Sequence, residues 1–437
     1  MPKFQIEFSL TSTVAALAIT AAYVGMILGA SGWGVMSDII GRRPAFSITL
    51  AIAAVCGTIS AFSPNFPFLC VAFALMAVGV GGNLPVDGSL FLEFIPKEKQ
   101  NLLTLLSIFW PIGQVINAIL SWALIPRFSC NGDEIAADGS VKHIPCNSEN
   151  NRGWRYVLFA LGMLTILMVV SRLLLFRMYE SPKFLLSVGR VDDAMDVLNQ
   201  LAEKNGVELD INPEELRLTN PIMHHDRLDN KTYSLARIKP LFHKDMLRTT
   251  ILVWMIWSLV SVGYAMFNGF LPTFLKNSGG SGVQLDDNTT YRNALISSLC
   301  GAPGSIAAMF LVETRLGRIW TMSLATLGTA LSLYLLSLNP NPTYQIVVTC
   351  FESFMQNAMY GVLYAYSPEV FRTEYRGTAV GIASALARIF GTVAPIITGA
   401  LIEIKLEYAL YVSSGLFLAA FLCMVFLPVE TRGRQAI

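Results

Sequence analysis

The sequence predicts an all-α, polytopic membrane protein built from two parallel pseudo-repeats, and two observations carry this prediction. The first is composition, because 54% of the 437 residues are hydrophobic and only 14% are charged. One soluble core of this size cannot hide that much apolar surface, whereas a bilayer accepts it on the outside of every helix. The second is a set of charged motifs that occurs twice along the chain.

The duplicated motifs share one offset of 276 positions. It relates Gly41 to Gly317 (317 − 41), Arg42 to Arg318 (318 − 42) and Glu93 to Glu369 (369 − 93). A further acidic motif recurs 250 positions later, at Glu180 and Glu430 (430 − 180), and a longer loop at 127–153 in the first half absorbs the difference. Duplication of one ancestral unit is the simplest explanation.

Apolar windows justify the individual helices. About twenty apolar residues cross a hydrocarbon core of about 30 Å, and backbone in lipid must satisfy its own hydrogen bonds, so each window predicts a helix. Eleven windows are present, at 13–36, 44–62, 66–91, 102–126, 154–176, 247–271, 291–312, 320–338, 343–365, 378–402 and 407–427.

A polar stretch divides the chain into three predicted units. These are an N-terminal bundle of five helices at 1–176, a central loop at 177–246 and a C-terminal bundle of six helices at 247–437. Within the loop, the apolar residues of 191–204 fall on one helical face, which predicts a short surface helix.

Basic residues predict the orientation. The side of the membrane that carries the repeated motifs and the central loop, here called the basic side, holds most of the Lys and Arg, so it is predicted to be cytoplasmic. The opposite side then carries Cys130, Cys146 and the sequon at Asn288, where a disulfide and a glycan are both compatible with the compartment. The sequence leaves open whether the two cysteines are joined. The sequon at Asn230 lies on the basic side and is predicted to stay unmodified.

Five motifs together resemble a known family. They read GVMSDIIGRR at 34–43, EFIPKEKQN around Glu93, YESPKFLLSVGR at 179–190, YSPEVFRTEYRG at 366–377 and PVETRGR at 428–434. In this order they are similar to the major facilitator superfamily, specifically to its sugar-porter-like members, and look closest to the synaptic-vesicle-protein-like branch. The resemblance implies a twelve-helix transporter that works by alternating access, in which these motifs form a gate on the cytoplasmic side.

The resemblance also implies one helix more than the windows supply. The first-half counterpart of the helix at 247–271 would fall before Met1, so the family's first helix is expected to be missing from these residues. Two explanations stand: a start codon placed inside a longer reading frame, or a shortened form that does not transport.

The gate residues implied by the resemblance are charged residues and glycines at helix ends. The usual excess of Lys and Arg on the cytoplasmic side of membrane proteins would explain the basic residues of this set, but it would not explain the repeated acids. The predicted gate consists of Gly34, Asp38, Gly41, Arg42, Arg43, Glu93, Glu180, Gly317, Arg318, Glu369, Arg376 and Glu430.

Polar residues at membrane depth are the candidates for a solute and proton cavity. Asp87, Glu352 and Arg388 each cost about 2.5 to 3.5 kcal/mol inside a membrane helix unless they face a cavity or a partner. Neighbouring polar residues share their helical faces. The predicted cavity consists of Asn83, Asp87, Gln114, Asn117, Tyr264, Asn268, Glu352, Gln356, Tyr360, Ser384 and Arg388.

Two interpretations of this polar set remain open. In one, Arg388 pairs with an acid and holds the two halves together as a structural ion pair. In the other, a carboxylate, best Glu352, carries a proton while Arg388 orients an anionic or hydroxylated solute. Trp110 and Phe267 nearby are expected to be packing residues.

No enzyme motif is present, and the four histidines lie in loops, so the chain is not expected to be an enzyme or to use a metal or cofactor. The expected partners are a small-molecule solute, protons and the lipid bilayer, with no nucleic acid, for a monomeric symporter in the plasma membrane or a vesicle membrane. The alternative function is a solute sensor on the same fold. A sensor would bind the solute without moving it across the membrane.

Overall fold

The computed structural model describes residues 2–94, 107–130, 133–135, 141–143, 146–175, 179–187, 189–207, 239–276, 285–371 and 376–432. The predicted central loop is described in part, at its two ends. The elements in chain order are α1 (Pro2–Glu7), α2 (Ser12–Ile40), α3 (Arg42–Ser60), α4 (Phe66–Phe94), α5 (Phe109–Phe128), β1 (Asp133–Ile135), β2 (Val141–His143), α6 (Gly153–Leu175), α7 (Pro182–Ser187), α8 (Val191–Asn205), a 3-10 helix (Lys239–Phe242), α9 (Lys244–Asn268), α10 (Leu271–Lys276), α11 (Asp287–Leu311), α12 (Gly317–Leu336), α13 (Pro342–Val370), α14 (Arg376–Ile404) and α15 (Leu406–Val425).

In the part of the chain that the structure describes, eleven long helices overlap the eleven predicted windows. Among the described residues, nine of them are long and apolar enough to cross a membrane by length and composition. The other two, α4 and α13, have 29 residues each. Helix α13 carries Glu352, Gln356 and Glu369, which are among the predicted functional residues. The strands β1 and β2 form one small antiparallel ribbon in the loop between α5 and α6, an element that the hydropathy pattern does not predict.

The sequence repeat is also visible in the packing. Helix α2 packs on α4, and α3 packs on α4 and α6; in the second half, α11 packs on α13, and α12 packs on α13 and α15. Helices α4 and α13 begin and end 276 positions apart (342 − 66 and 370 − 94). The two bundles meet where α2 contacts α14 and where α5 contacts α11.

Small residues bring α2 and α4 close together. A Cβ atom built on Gly25 would lie 2.1 Å from the Ala74 carbonyl oxygen, and one built on Gly29 would lie 2.1 Å from the Val78 carbonyl oxygen. Backbones this close leave no room for a side chain, as in other membrane helix pairs that pack through small residues.

The surface helix predicted at 191–204 is α8. Its N-terminal residues Val191 and Ala194 are buried, and Ala194 packs in a small cluster with Leu185 of α7. Gly206 ends α8 in a left-handed conformation with φ 66°, which suits a residue without a Cβ atom.

Candidate functional site

A polar cluster lies in the interior between α5 of the first half and α9 and α13 of the second. Gln114 Nε2 donates a hydrogen bond to the Tyr264 hydroxyl oxygen over 3.1 Å, which joins the two halves directly. Asn268 Nδ2 donates to Gln356 Oε1 over 2.9 Å. Four of the predicted cavity residues therefore meet in two hydrogen-bonded pairs.

Glu352 is the acidic member of this cluster. It is 1% exposed, and its Oε1 atom has no hydrogen-bond partner among the described residues. Gln356, one helical turn further along α13, has a buried Nε2 atom that is likewise without a partner in the described part of the chain. The Tyr264 hydroxyl is close enough to Glu352 for the two groups to interact electrostatically. An unsatisfied buried polar atom costs about 1 to 3 kcal/mol, so this arrangement calls for a ligand, a water or a proton.

Aromatic rings form one wall of the cluster. The Tyr264 and Tyr360 rings meet edge to face with centroids 5.4 Å apart, and the Trp110 ring meets Tyr364 edge to face at 5.2 Å. Trp110 also approaches Tyr360 at 6.5 Å. Trp110 was expected to be a packing residue, and in the structure it lies on α5 with its ring against two tyrosines of α13. Phe267, by contrast, is 1% exposed and packs on Phe274 with ring centroids 5.6 Å apart.

Arg388 places a cation in the interior from α14. It is 8% exposed, and the Tyr364 hydroxyl lies within its electrostatic reach. In the described part of the chain no carboxylate forms an ion pair with Arg388. Glu352 and Arg388 are therefore not paired with each other. A structural pair of Arg388 with Asp87, whose side chain lies outside the described part of the structure, stays an open interpretation.

The remaining predicted cavity residues are distributed differently. Ser384 is half-buried one turn before Arg388, and Asn117 is exposed on α5. The side chains of Asn83 and Asp87 lie outside the described part of the structure, so their place in the cavity stays a prediction.

On the basic side, each half caps the start of a helix with an acid from its own repeat. The Glu180 carboxylate accepts a hydrogen bond from the Arg43 backbone N–H at the start of α3, with N···O distances of 3.2 and 3.3 Å. The Glu430 carboxylate accepts from the backbone N–H groups of Arg318 and Ile319 at the start of α12, each over 3.0 Å. A carboxylate at a helix N-terminus satisfies free N–H groups and favours the helix dipole.

The repeated glycines make this capping possible. Gly41 has φ 103° and Gly317 has φ 66°, which are left-handed conformations that suit glycine. A Cβ atom on Gly317 would also lie 2.8 Å from the carboxyl carbon of Glu430. Because it has no Cβ atom, Gly317 can adopt the turn and also leave room for the Glu430 carboxylate.

A second acid completes the cluster in the C-terminal half. Arg318 Nη2 donates to Glu369 Oε1 over 2.8 Å, and Thr431 Oγ1 donates to Glu369 Oε2 over 2.8 Å. These contacts lie within one half. The surroundings of the other predicted gate residues, Gly34, Asp38, Arg42, Glu93 and Arg376, are outside the described part of the structure, so their place in the gate stays a prediction.

On the opposite side, the two halves are joined by an ion cluster that the sequence interpretation missed. Lys3 Nζ contacts Asp287 Oδ2 and also donates to the Cys130 carbonyl oxygen over 2.7 Å. Lys276 Nζ lies 3.5 Å from Asp287 Oδ1. Lys3 is 2% exposed and Asp287 5% exposed, and burial lowers the pKa of Lys3 although Asp287 opposes that change.

Other contacts reinforce the same side of the interface. The Thr13 backbone N–H and hydroxyl of α2 donate to Glu403 Oε1 of α14 over 2.9 and 3.0 Å. Trp122 Nε1 of α5 donates to Asn288 Oδ1 of α11 over 2.8 Å. These described contacts join the two halves on the opposite side, so the conformation is closed there. They are called the seal below.

The loop after α5 is tied by a disulfide. Cys130 and Cys146 are bonded, with Cα atoms 5.9 Å apart, so the choice that the sequence left open is made by the fold. This bond lies directly beside the Lys3 contact to the Cys130 carbonyl oxygen.

Glycosylation mapping tests the predicted orientation. Asn288 is exposed, and its hydrogen bond to Trp122 uses Oδ1, which leaves Nδ2, the atom that carries a glycan. Expression in a eukaryotic host should therefore modify Asn288 and leave Asn230 bare, measured by a glycosidase-sensitive mass shift that Asn288→Gln abolishes. A shift that persists in Asn288→Gln and disappears in Asn230→Gln would reverse the orientation.

Comparisons with known proteins agree with this architecture. The family model described as Major Facilitator Superfamily matches residues 1–314 and 293–436. An uncharacterised MFS-type transporter of Schizosaccharomyces pombe is 37% identical over 94% of this chain and 77% of its own length. The niacin transporter NiaP of Acinetobacter baylyi is 28% identical, covering 90% of this chain and 79% of that protein. The synaptic vesicle 2-related protein of Xenopus laevis is 25% identical, covering 99% and 74%.

A solved structure shows the same fold. The xylose transporter XylE from E. coli, in a partially occluded inward-open conformation, superposes with a TM-score of 0.71 at 16% identity, covering 97% of this chain and 89% of that one. The family resemblance and the expectation of a transporter rather than an enzyme are thereby confirmed. With a family model that spans nearly all of its residues, this chain belongs to the major facilitator superfamily of membrane transporters.

Proposed function

We propose that this transporter is secondary active and moves a small organic anion together with protons by alternating access. The observation that carries the proposal is Glu352, a carboxyl group in the interior of the two-half assembly with an oxygen that no described residue satisfies. No described cation pairs with it. Such a group is most stable when it is protonated and uncharged.

Proton coupling follows from this environment. When the cavity opens to water, hydration lowers the cost of ionising Glu352, and the proton leaves. When the cavity closes, the carboxylate must take up a proton or meet a cation. Glu352 thus links protonation to the conformational cycle, and its neighbours Tyr264 and Gln114 connect it to the opposite half.

The cation Arg388 supports an anionic solute. A guanidinium group presents paired donors that match a carboxylate, and it forms no ion pair in the described part of the chain. Tyr364 interacts electrostatically with this charge, and its ring packs edge to face on Trp110, which would give the solute an aromatic surface to contact. A related protein is named a niacin transporter, and niacin is a small aromatic carboxylate.

Alternating access is supported by the uneven contacts at the two sides. The opposite side carries an ion cluster between the halves, whereas the described acid caps on the basic side lie within each half. If the two repeats rock around a central site, the contacts between the halves on the opposite side would break while contacts on the basic side form.

Transport in proteoliposomes tests the anionic solute. We expect the full chain to take up nicotinate or benzoate, and not choline or xylose, with uptake accelerated by an inward proton gradient. Arg388→Leu should raise KM at least about 30-fold, because losing a buried charge partner costs about 2 to 5 kcal/mol. Arg388→Lys, the matched control, keeps the charge and should lose less.

Two results would contradict this proposal. An unchanged KM for anions in Arg388→Leu would show that Arg388 does not bind the solute. Binding of the anion without any movement across the bilayer would instead identify a sensor on the transporter fold.

A further inference from the structure

Two thiols lie side by side where α11 and α13 pack together in the second half. Cys300 is near the middle of α11, and Cys350 is in the first third of α13. Both cysteines are free and half-buried, and their thiols are near enough to each other to form a hydrogen bond. The two residues are called the cysteine pair below.

Contacts on both sides of the cysteine pair hold the two helices close together. Before it, Ser297 Oγ donates a hydrogen bond to the Thr349 carbonyl oxygen over 3.3 Å. After it, a Cβ atom built on Gly304 would lie 2.1 Å from the Phe354 carbonyl oxygen. The two cysteines stand four residues before Gly304 and Phe354 (304 − 300 and 354 − 350), so they occupy the adjacent turn of the same helix contact.

The first half packs the same place without sulfur. There the equivalent contact joins Gly29 to Val78, where a built Cβ atom would also lie 2.1 Å from the carbonyl oxygen. Four residues before these two stand Gly25 and Ala74 (29 − 25 and 78 − 74), which carry no reactive group. The close approach of the helices therefore does not require a thiol, and the cysteine pair is specific to the second half.

The cysteine pair faces lipid rather than the solute cavity. Val347, one turn before Cys350, is 63% exposed, and Leu299 beside Cys300 is 50% exposed. Glu352 follows Cys350 by two residues, which places it about 200° further around α13, on the interior face. Hydrocarbon surroundings disfavour a charged thiolate. Reagents that need a thiolate should therefore react slowly here.

A thiophilic ligand that is neutral before and after binding suits such a site. Sulfur ligands select soft elements, and trivalent arsenic in an organic arsine oxide is one of these. When an arsine oxide reacts with two thiols, the arsenic–oxygen bond is replaced by two arsenic–sulfur bonds. The two thiol protons leave with the oxygen as water, so no charge forms and nothing is oxidised or reduced. Pyramidal arsenic holds its two sulfur atoms side by side, as the cysteine pair presents them.

We propose that the cysteine pair is a binding site for trivalent organoarsenic compounds that enter from the lipid phase, with one sulfur from each helix on arsenic. The organic group then points toward lipid. Once the first sulfur is bound, the second binds intramolecularly at a high effective concentration, so the adduct is tighter than one on a single thiol. The site shares no residue with the solute cavity and stands whether or not the proposed transport is correct.

Binding of phenylarsine oxide to the purified full chain tests the proposal. Intact-protein mass spectrometry should show one phenylarsenic group in place of two thiol hydrogens, and this adduct should survive excess monothiol but not a small dithiol. Cys300→Ser and Cys350→Ser should each raise the half-saturating concentration at least about 100-fold, because each leaves one sulfur without its intramolecular partner. Cys423→Ser, the matched control, removes a half-buried thiol of α15 and should leave binding unchanged.

A second measurement uses the unmodified protein and so does not depend on the folding of a variant. After treatment with the arsenical, the protein is denatured and its remaining thiols are alkylated and mapped. Cys300 and Cys350 should be protected together, whereas Cys423 should be alkylated as in untreated protein. Unchanged binding in either serine variant, protection of only one of the two cysteines, or loss of binding in Cys423→Ser would each overturn the proposal.

Discussion

Replacing Glu352 by glutamine is expected to abolish pH-driven accumulation of solute while leaving counterflow intact. Glutamine keeps the shape and the hydrogen-bonding capacity of a protonated glutamate, so the cavity can close around solute. It cannot release a proton, so a proton gradient no longer drives the cycle. Counterflow needs only that the protein with solute bound alternates between the forms that open to each side of the membrane. It should therefore continue at close to the unmodified rate.

The measurement compares two assays on the same proteoliposomes. Accumulation is followed with an inward proton gradient, and counterflow is followed with equal pH on both sides and solute preloaded inside. Glu407→Gln is the matched control, since Glu407 is a partly exposed acid at the start of α15 that pairs with Lys405 over 2.8 Å. If Glu352→Gln accumulates solute with the unmodified dependence on the gradient, Glu352 has a structural role.

Asp287→Asn is expected to open the seal on the opposite side. In the closed conformation the Asp287 carboxylate lies between two ammonium groups, those of Lys3 and Lys276. Removing the acid leaves both cations without this anion, and breaking a buried ion pair costs about 3 to 5 kcal/mol. Separation of the halves hydrates both lysines, so the variant should favour the conformation that is open on that side.

Cysteine labelling reports this opening. Thr20 of α2, whose hydroxyl donates to the Thr392 carbonyl oxygen of α14 over 3.1 Å, lies between the halves and is replaced by cysteine after the free cysteines are removed. Labelling from the opposite side by an impermeant maleimide should rise at least about tenfold in Asp287→Asn, which corresponds to about 1.4 kcal/mol. Glu407→Gln removes a partly exposed acid that pairs with Lys405 at the start of α15, outside the ion cluster, and serves as the matched control.

The effect of pH provides an independent check of the same variant. Burial lowers the pKa of Lys3, and Asp287 raises it. Without Asp287 the pKa of Lys3 in the closed form falls further, so the lysine loses its proton more readily there. The closed form should therefore recover as the pH rises toward the ordinary lysine range, and labelling should fall. Labelling that is equal to the control at every pH would show that the ion cluster does not hold the seal.

The sequence by itself determined the helices and the repeat. Long apolar windows at about twenty residues predict membrane helices because the bilayer imposes one length and one polarity on all of them. Helices α3, α4, α12 and α13 therefore begin close to the predicted positions. The offset of 276 positions likewise survives in the structure, because both halves use a glycine turn followed by a capped helix.

Only the tertiary structure decided which side chains meet. Lys3 and Asp287 are 284 positions apart, and Gln114 and Tyr264 are 150 apart. Helical periodicity shows which residues share a face of one helix, but the partner across an interface depends on how helices from different halves pack. No pattern in the sequence therefore pairs Lys3 with an acid, although the fold buries it against Asp287 of the other half.

The same limit applies to the interior. Hydropathy singled out Glu352 and Arg388 because a charge inside an apolar window is costly whatever surrounds it. Whether these two charges neutralise each other depends on the distance between α13 and α14, which no local pattern contains. The fold leaves Glu352 with an oxygen that no described residue satisfies and Arg388 in electrostatic contact with Tyr364, so only the packing of α13 and α14 shows that Glu352 and Arg388 do not neutralise each other.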